Sequence, residues 1–314
     1  MAKKKNSDKF KKNTRGRGKG FLPALLIAVL AIGGFFGWMH LNASLTHLKY
    51  AEVYLKDLPA QFEGTKVLFV SDINIRNASD AAAVRKTMDK LQEVNADMLI
   101  LGGDYSADTL ISSLNGGDGS GKEEYALEFI KSLDDFYAPL GKFAVSGEND
   151  GSFIAGSFEK AGVQHLSDRC VVTEKAGSQL VIAGLSDVSK GRTPYEEIGR
   201  YFSGDECVIA VAHNPSAYIG IRVAEARGGG AWTDMVLAGH NLGGQIKVLD
   251  KTMKELTEEE RRCLSGWHYT NDLPMLVSQG LGCRGAKLRF GTESEIWCIT
   301  LHKPANQDSI LPKL

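Results

Sequence analysis

Short apolar runs that each stop at an acidic residue are the feature that most constrains how this chain can fold. Residues 67–70 (VLFV) lead to Asp72, and residues 98–101 (MLIL) lead to Asp104. Residues 142–145 (KFAV) lead to the sequence SGEND in the same way. Runs of this length and composition are typical of strands buried on both faces of a sheet. The carboxyl ends of these strands therefore present polar side chains.

Segments with helical periodicity separate the three predicted strands. Residues 80–95 and 122–136 each predict a helix, and the apolar positions of the first are Ala83, Met88, Leu91 and Val94. The resulting β-α-β-α-β order indicates an α/β domain with right-handed crossovers. In such a domain the polar residues that follow the strands collect at one edge of the sheet.

The second half of the chain changes character, because strand-like runs there are separated by few helices. With 314 residues, 43% of them hydrophobic, the chain is long enough to bury a second layer. The pattern predicts a second sheet packed on the first, and it shows no internal repeat. The predicted strands are residues 171–173, 179–183, 207–212, 235–238, 275–278, 287–290 and 296–301.

Residues 21–41 (FLPALLIAVLAIGGFFGWMHL) contain no charged residue. At about 1.5 Å per residue they span roughly 31 Å, which matches a hydrocarbon core of about 30 Å. Trp38 suits an interfacial anchor. We expect an uncleaved transmembrane helix. The alternatives are a signal peptide, for which residues 42–44 (NAS) are a poor cleavage site, and a buried helix.

Charge is distributed unevenly along the chain. Residues 1–20 hold nine Lys and Arg and one acid, which leaves 28 basic and 37 acidic residues in the remainder. The basic segment predicts a solvated cytoplasmic tail, with the body outside the cell membrane. The acidic body is not expected to bind nucleic acid. A compact body from residue 48 to 303 and a frayed tail over 304–314 complete the predicted organisation.

Two further patterns carry no predicted site. Residues 116–122 (GGDGSGK) match the spacing of a phosphate-binding loop, but Glu123 follows where Ser or Thr is needed, and no convincing strand precedes them. Five cysteines show no metal-type spacing, and their odd number leaves at least one unpaired within the chain. Cys207 and Cys298 lie in apolar runs and are predicted to be small core residues.

Five positions at predicted strand ends form a candidate metal site. Carboxylates and imidazoles that converge on one sheet edge suit zinc, manganese or iron, and two such ions could bind a phosphoester between them. Taken singly, each residue has a structural alternative, such as an aspartate that caps a helix or a histidine satisfied in the core. Gly239, Gly243 and Gly244 indicate close backbone approach there. The candidates are Asp72, Asp104, Glu148 (with Asn149 and Asp150), His213 and His240.

These positions resemble the motifs of the calcineurin-like metallophosphoesterases, whose pattern runs D-x-H, GD, GNH-[DE], a lone H and GHxH. The end of the chain, with VSQGLG at 277–282, Arg289 and Glu295, is similar to a membrane-anchored bacterial subgroup. The resemblance covers residues 48–303 and implies a four-layer α-β-β-α sandwich of two mixed sheets. The matching segments are Asp72-Ile73-Asn74, Gly103-Asp104, Gly147-Glu148-Asn149-Asp150, His213-Asn214-Pro215 and Gly239-His240-Asn241-Leu242.

The resemblance also implies which ligands remain. One family metal position maps to Asp104, Glu148, His213 and His240, and this set is complete. The other keeps Asp72 and shares Asp104. It meets Asn74 and Leu242 where the family has histidines, so a second ion is expected to be weak or absent.

The family's proton donor corresponds to Asn149, which cannot deliver a proton at neutral pH. General acid–base help is typically worth about 10²–10⁴-fold, so we expect any reaction to be slow. Asp150 remains beside it and could orient Asn149 or hold a water.

Two functions follow as hypotheses. The first is a membrane-anchored, metal-dependent phosphoester hydrolase with an incomplete dinuclear site, holding one ion of Mn, Zn or Fe. Its substrate would be a phosphoester or pyrophosphate, either a small molecule or a lipid headgroup. The second is a catalytically impaired pseudoenzyme that binds metal or phosphate, or serves as a scaffold.

Overall fold

The computed structural model describes residues 21–109, 120–152, 154–249, 251–252, 256–270 and 272–304. The helices are α1 (Phe21–Asn42), α2 (Ala78–Leu91), α3 (Ser120–Ser132), α4 (Ile154–Lys160), α5 (Tyr195–Gly199), α6 (Ala217–Val223) and α7 (Glu258–Arg262). The strands are β1 (Thr46–Tyr54), β2 (Lys66–Val70), β3 (Met98–Leu101), β4 (Lys142–Ala144), β5 (Gln164–His165), β6 (Arg169–Lys175), β7 (Ser178–Gly184), β8 (Val208–Val211), β9 (Met235–Ala238), β10 (Lys247–Val248), β11 (Lys251–Thr252), β12 (Gly266–Thr270), β13 (Leu273–Val277) and β14 (Ser294–His302).

Two six-stranded sheets form the body. The first has the order β1-β14-β2-β3-β4-β5, and the second has the order β12-β13-β9-β8-β7-β6. In the first sheet β2 to β5 are parallel and β14 runs antiparallel to β2. In the second sheet β7, β8, β9 and β13 are parallel, with antiparallel strands at both edges. Both sheets are therefore mixed, as predicted.

Successive side chains of each strand point to opposite faces of its sheet, and the buried apolar residues form three clusters. On β2, Leu68 and Val70 pack with α2, α3 and α4, whereas Val67 and Phe69 pack between the sheets. The far face of the second sheet packs against residues of α5 and α6. A strand buried on both faces needs apolar residues at every position, which explains the unbroken runs in the sequence. The predicted four-layer α-β-β-α sandwich is confirmed.

The predicted helices are present with shifted bounds. Helix α2 begins after Asn77, whose side chain accepts a hydrogen bond from the Asp80 amide, and a short 3₁₀ turn follows it to Val94. Its buried face uses Ala81 and Val84, and Ala83 is exposed, so the predicted apolar face was wrong at that position. Helix α1 contains all of predicted residues 21–41 and is long and apolar enough to cross a membrane by length and composition.

The prediction of a strand at 287–290 was wrong. This segment runs through irregular structure, with a single bridge between Phe290 and Ile246. Its backbone bonds go elsewhere, since Arg289 donates its amide to the Met39 carbonyl and Phe290 donates its amide to the Gln245 carbonyl. The apolar residue Phe290 instead packs against Phe35 and Trp38 of α1.

Some of the remaining predictions concern residues that the structure does not describe, and others concern the cysteines. Residues 1–20 and 305–314, and most of the glycine-rich 116–122 segment, lie outside it. Cys207 and Cys298 are buried as expected, and all five cysteines are free thiols.

Candidate active site

The five predicted ligand positions all lie just beyond carboxyl ends of parallel strands, in loops between the two sheets. Asp72 follows β2, Asp104 follows β3 and Glu148 follows β4. His213 follows β8 and His240 follows β9, so the second sheet contributes the imidazoles. The topology thus brings together residues that are far apart in the chain.

Unusual backbone conformations position these side chains. Asp72, Asp104 and His240 have φ values of 50°, 57° and 73°, in the left-handed region. Asn74 and Leu242, at the substituted family positions, share this conformation with φ of 49° and 52°. Such residues cost free energy and cluster at functional sites. The loops that carry the candidate residues are therefore held in left-handed backbone conformations.

Glycines allow the strand-end loops to approach one another. A Cβ atom at Gly239 would lie 1.9 Å from Ser71 Oγ and 2.3 Å from Asp72 Oδ2. At Gly147 a Cβ atom would lie 2.3 Å from Asp104 Oδ1. Real Cβ atoms cannot occupy such positions without displacing the neighbour. The predicted close approach at Gly239 is confirmed.

One predicted ligand set converges around the Glu148 carboxylate. Its Oε2 atom lies 2.8 Å from His213 Nε2 and 3.0 Å from His240 Nδ1. Asp104 Oδ1 lies 3.6 Å from His213 Nε2. The His213 ring is held from behind, where Nδ1 is 2.6 Å from the Gly102 carbonyl oxygen. Asp104, Glu148, His213 and His240 are therefore brought together.

The second predicted set is depleted. Asp72 Oδ2 accepts hydrogen bonds from Ser71 Oγ at 2.6 Å and from the His240 amide at 2.9 Å. Asp72 Oδ1 and Asn74 Oδ1 are buried with no hydrogen-bond partner among the residues described. Leu242 is buried and offers no lone pair. The polar atoms described here are therefore the oxygens of Asp72 and Asn74.

Arg284 contacts the candidate ligands, and the sequence analysis did not predict it. Its Nη2 atom donates to Asp104 Oδ2 at 2.5 Å and to Glu148 Oε1 at 2.6 Å. Arg284 lies in the glycine-flanked loop after β13, where nothing in motif spacing marks it. The one sequence feature that could have pointed to Arg284 is that it is a basic residue in a loop that follows a predicted strand. Sequence reasoning also missed Glu260, whose Oε1 lies 3.3 Å from His240 Nε2.

Asn149 and Asp150, predicted to lie near the position of the family's proton donor, both contact the β3 loop. Asn149 donates its side-chain amide to Asp104 Oδ2 at 2.8 Å. Asp150 is buried and accepts backbone amides of Asp104, Gly147 and Tyr105. It therefore ties the β3 and β4 loops together and does not hydrogen-bond to the Asn149 side chain.

The buried carboxylates make the site electrostatically negative and stabilise positively charged groups. Burial alone would lower the pKa of His213, but Asp104 and Glu148 outweigh it and raise that pKa well above its usual range. Burial alone would raise the pKa of Glu148, yet contacts with His213 and His240 lower it. Burial and the Asp104 charge raise the pKa of Asp150 to about 6. A cation at this place is electrostatically favoured.

The donor set fits one divalent cation. Glu148, His213 and His240 each offer one ligand atom, all within 4.8 Å of one another. The close contact of His213 Nε2 with Glu148 is not aligned as a hydrogen bond, and Nε2 has no hydrogen-bond partner among the described residues. Carboxylate oxygens and imidazole nitrogens suit Zn²⁺, Mn²⁺ or Fe²⁺. Asp72, Asp104 and His213 form a second, overlapping group.

A two-sheet α/β sandwich with acidic and imidazole ligands gathered where the sheets meet defines the class of metal-dependent phosphoesterases. The chain matches the family model described as calcineurin-like phosphoesterase over residues 65–243, and it belongs to that family. The family acts on phosphoester substrates and is metal-dependent.

Relatives are similar over most of the chain. The uncharacterized metallophosphoesterase YkoQ of Bacillus subtilis (strain 168) is 26% identical over 296 residues, covering 90% of this chain and 99% of YkoQ. Phosphodiesterase YaeI of Escherichia coli (strain K12) is 22% identical over 287 residues, covering 87% and 95%. A Danio rerio protein named transmembrane protein with metallophosphoesterase domain is 22% identical over 296 residues, covering 89% and 62%.

Proposed function

We propose that this chain is a membrane-anchored phosphoester hydrolase whose site combines one divalent metal with one arginine. The metal position is formed by Asp104, Glu148, His213 and His240. Arg284 supplies the second positive charge, on the side where the family's other ligands are replaced. The ion is expected to be Mn²⁺, Zn²⁺ or Fe²⁺.

The observation that carries this proposal is how Asp104 and Glu148 divide their oxygens. One oxygen of each carboxylate, Oδ2 and Oε1, accepts a hydrogen bond from Arg284. The other oxygens, Oδ1 and Oε2, face the imidazole of His213. The ligand atoms for one metal therefore remain on one side while the guanidinium occupies the other side.

A bound divalent ion would polarise the phosphoryl oxygen and supply hydroxide at neutral pH. Arg284 is suited to phosphate, because its planar fork carries several donors and only Nη2 is bonded to the carboxylates. Asn149 cannot donate a proton to the leaving group. The reaction is therefore expected to favour substrates with a good leaving group.

We further propose that α1 anchors the protein in the cell membrane with the body outside. Its span from Leu22 has a mean hydropathy of 2.1 and is only 6% buried against the body. Nine basic residues in the preceding 20 support a cytoplasmic N-terminus. The printed name of the Danio rerio relative, a transmembrane protein, agrees with an anchor.

Metal content and hydrolysis of the full-length protein in detergent test this function. We expect one ion per chain after gel filtration, and Mn²⁺-dependent hydrolysis of bis(p-nitrophenyl) phosphate. His240→Ala should lose both the ion and the activity. The matched control, Glu258→Gln on the exposed surface of α7, should keep both. A metal-free chain, or a rate unaffected by His240→Ala, would overturn the proposal.

The second candidate is a pseudoenzyme that binds metal or phosphate, or acts as a scaffold. It is favoured by the contact of Asn149 with Asp104, which places an amide donor at the bridging carboxylate. Restoring Asn74→His, Asn149→His and Leu242→His together separates the candidates. If the protein is a hydrolase, the wild-type rate of hydrolysis is measurable and the triple variant raises it. If it is a pseudoenzyme, the wild-type protein shows no hydrolysis.

A further inference from the structure

A small hairpin next to the candidate site exposes two apolar side chains. Strands β10 and β11 pair antiparallel, with Val248 opposite Lys251. Val248 is 51% exposed and Leu249 is 93% exposed, at the turn of the hairpin. Leu249 also has a left-handed backbone with φ of 47°. An aliphatic residue held out at a hairpin tip is poorly placed for water.

This hairpin is connected to α1 through Phe290. The Lys247 amide donates to the Phe290 carbonyl at 2.7 Å. The ring of Phe290 lies 5.4 Å from the ring of Phe35 and 5.7 Å from that of Trp38, both on α1. Further contacts tie the same segment to the helix end, since Asn42 donates its side-chain amide to the Thr292 carbonyl. The body therefore packs against the last turns of the apolar helix.

Distances along α1 indicate how deep this packing lies. Phe35 is seven residues before Asn42, which places it about 10 Å from the end of the helix at 1.5 Å per residue. A helix of 22 residues is about 33 Å long, so a hydrocarbon core of about 30 Å extends close to its end. Phe290 thus contacts the last three turns of α1, at the end of the helix where the chain would leave the bilayer. The hairpin bonded to Phe290 lies beside it.

The charges of the hairpin suit the same environment. In the sequence, Lys247 precedes Val248 and Leu249, and Asp250 and Lys251 follow them. Lysines at the interface extend their ammonium groups toward lipid phosphates while neighbouring aliphatic groups enter the acyl region. Exposed aliphatic side chains with lysines nearby are expected of a segment that contacts lipid.

We infer that the β10–β11 hairpin is a second membrane contact, inserting Val248 and Leu249 into the bilayer interface beside α1. The inference rests on the proposed anchoring by α1. The hairpin follows the His240 loop directly, and a small cavity of about 60 Å³ is lined by Ala43, at the end of α1, and by Asn74. The contact therefore holds the candidate site at the membrane surface, within reach of phosphate-bearing lipid headgroups.

Fluorescence depth measurements on the full chain test the contact. In a Cys170→Ser, Cys263→Ser background, which removes the two thiols that are not buried, Leu249→Cys is labelled with the polarity-sensitive dye NBD. The protein is reconstituted in phosphatidylcholine–phosphatidylglycerol vesicles. Val223→Cys on α6, 72% exposed, is the matched control. We expect the dye at position 249 to shift to shorter wavelength and to be quenched at least twofold by doxyl-labelled lipid.

The control dye at position 223 should respond to aqueous iodide and be unaffected by doxyl lipid. Equal iodide quenching at both positions, in chains that float with carbonate-washed vesicles, overturns the hairpin contact while leaving the anchor intact. Chains that fail to float overturn the anchor, and the contact with it. Flotation therefore tests the anchor, and the depth of the dye tests the hairpin contact.

Discussion

At the scale of single residues, the candidate site combines positions that the sequence predicts with one that it does not. Asp104 and His240 each follow a strand, as the apolar runs predict, but they belong to different sheets, and the apolar runs do not reveal how the two sheets pack together. Arg284 is 180 positions from Asp104 and 136 from Glu148, and its loop has no period or motif. Such a contact depends on how a long side chain crosses the site, which only the folded chain determines.

Replacing Arg284 separates metal binding from turnover. Arg284→Gln removes a positive charge that lies next to two of the proposed ligands, so divalent ions should bind more tightly. We expect at least a tenfold tighter Kd for Mn²⁺, which corresponds to about 1.4 kcal/mol, by calorimetry. Hydrolysis should fall at least tenfold, because the charge opposite the metal is lost.

The conservative variant and a distant arginine provide the controls. Arg284→Lys keeps the charge and should bind Mn²⁺ like the wild type, with hydrolysis only partly recovered because the fork geometry is lost. Arg76→Gln removes a guanidinium paired with Asp80 and should leave Mn²⁺ affinity unchanged. Unchanged affinity in Arg284→Gln would show that the guanidinium does not influence the metal position.

Gly147 tests whether close packing holds the ligands. In Gly147→Ala the new methyl would lie 2.3 Å from Asp104 Oδ1 and 2.8 Å from His213 Nε2. Overpacking of this kind costs about 1–3 kcal/mol, so the thermal midpoint and the metal content should both fall. Gly156→Ala, at an open helical position in α4, should instead raise stability by up to about 1 kcal/mol. A fully stable, metal-loaded Gly147→Ala protein would contradict the described approach of the loops.

At the scale of secondary structure, the sequence pattern correctly predicted the strands that pair with other strands. The runs at 67–70 and 98–101 became β2 and β3 because each is buried on both faces. The run at 287–290 instead alternates polar and apolar residues, and its amides donate to the Met39 and Gln245 carbonyls outside any ladder. Alternation reports burial on one side, and strand pairing needs a neighbour that the local sequence does not reveal.

Asp234, just before β9, should make stability depend on pH. It is buried and accepts the Val208 amide at 2.8 Å, and burial raises its pKa to about 7. Unfolded aspartate has a pKa of about 3.9, so between about pH 4 and pH 7 the folded state binds more protons. The free energy of unfolding contributed by this group therefore falls as pH rises through that window.

The variant Asp234→Asn removes this titration while keeping a carbonyl oxygen to accept the Val208 amide. Thermal midpoints measured at pH 5 and pH 8 should differ less in Asp234→Asn than in the wild type. The exposed Asp205→Asn should follow the wild type at both values. If wild type and Asp234→Asn lose the same stability between pH 5 and pH 8, Asp234 is ionised throughout.

At the scale of the whole molecule, anchor, hairpin and site lie on one connected path. The segment from Gly280 to Thr292 carries Arg284 into the site and also bonds to the end of α1. Arg289 completes this link, since its amide donates to Met39 while its guanidinium donates to the carbonyls of Gln279, Gly280 and Gly282. If α1 spans a membrane, as proposed, this link sets the direction of the site relative to the helix axis.

The orientation of the whole chain follows from charge at its start. The nine basic residues before α1 should keep the N-terminus in the cytoplasm, which places the body and its site outside. In intact bacterial spheroplasts, added protease should therefore remove a C-terminal epitope while a cytoplasmic marker stays protected. Changing the nine Lys and Arg to Gln should weaken the bias, so that part of the epitope becomes protected until detergent is added. An epitope protected in the wild-type chain would place the site on the cytoplasmic side, where it would meet a different pool of phosphoesters.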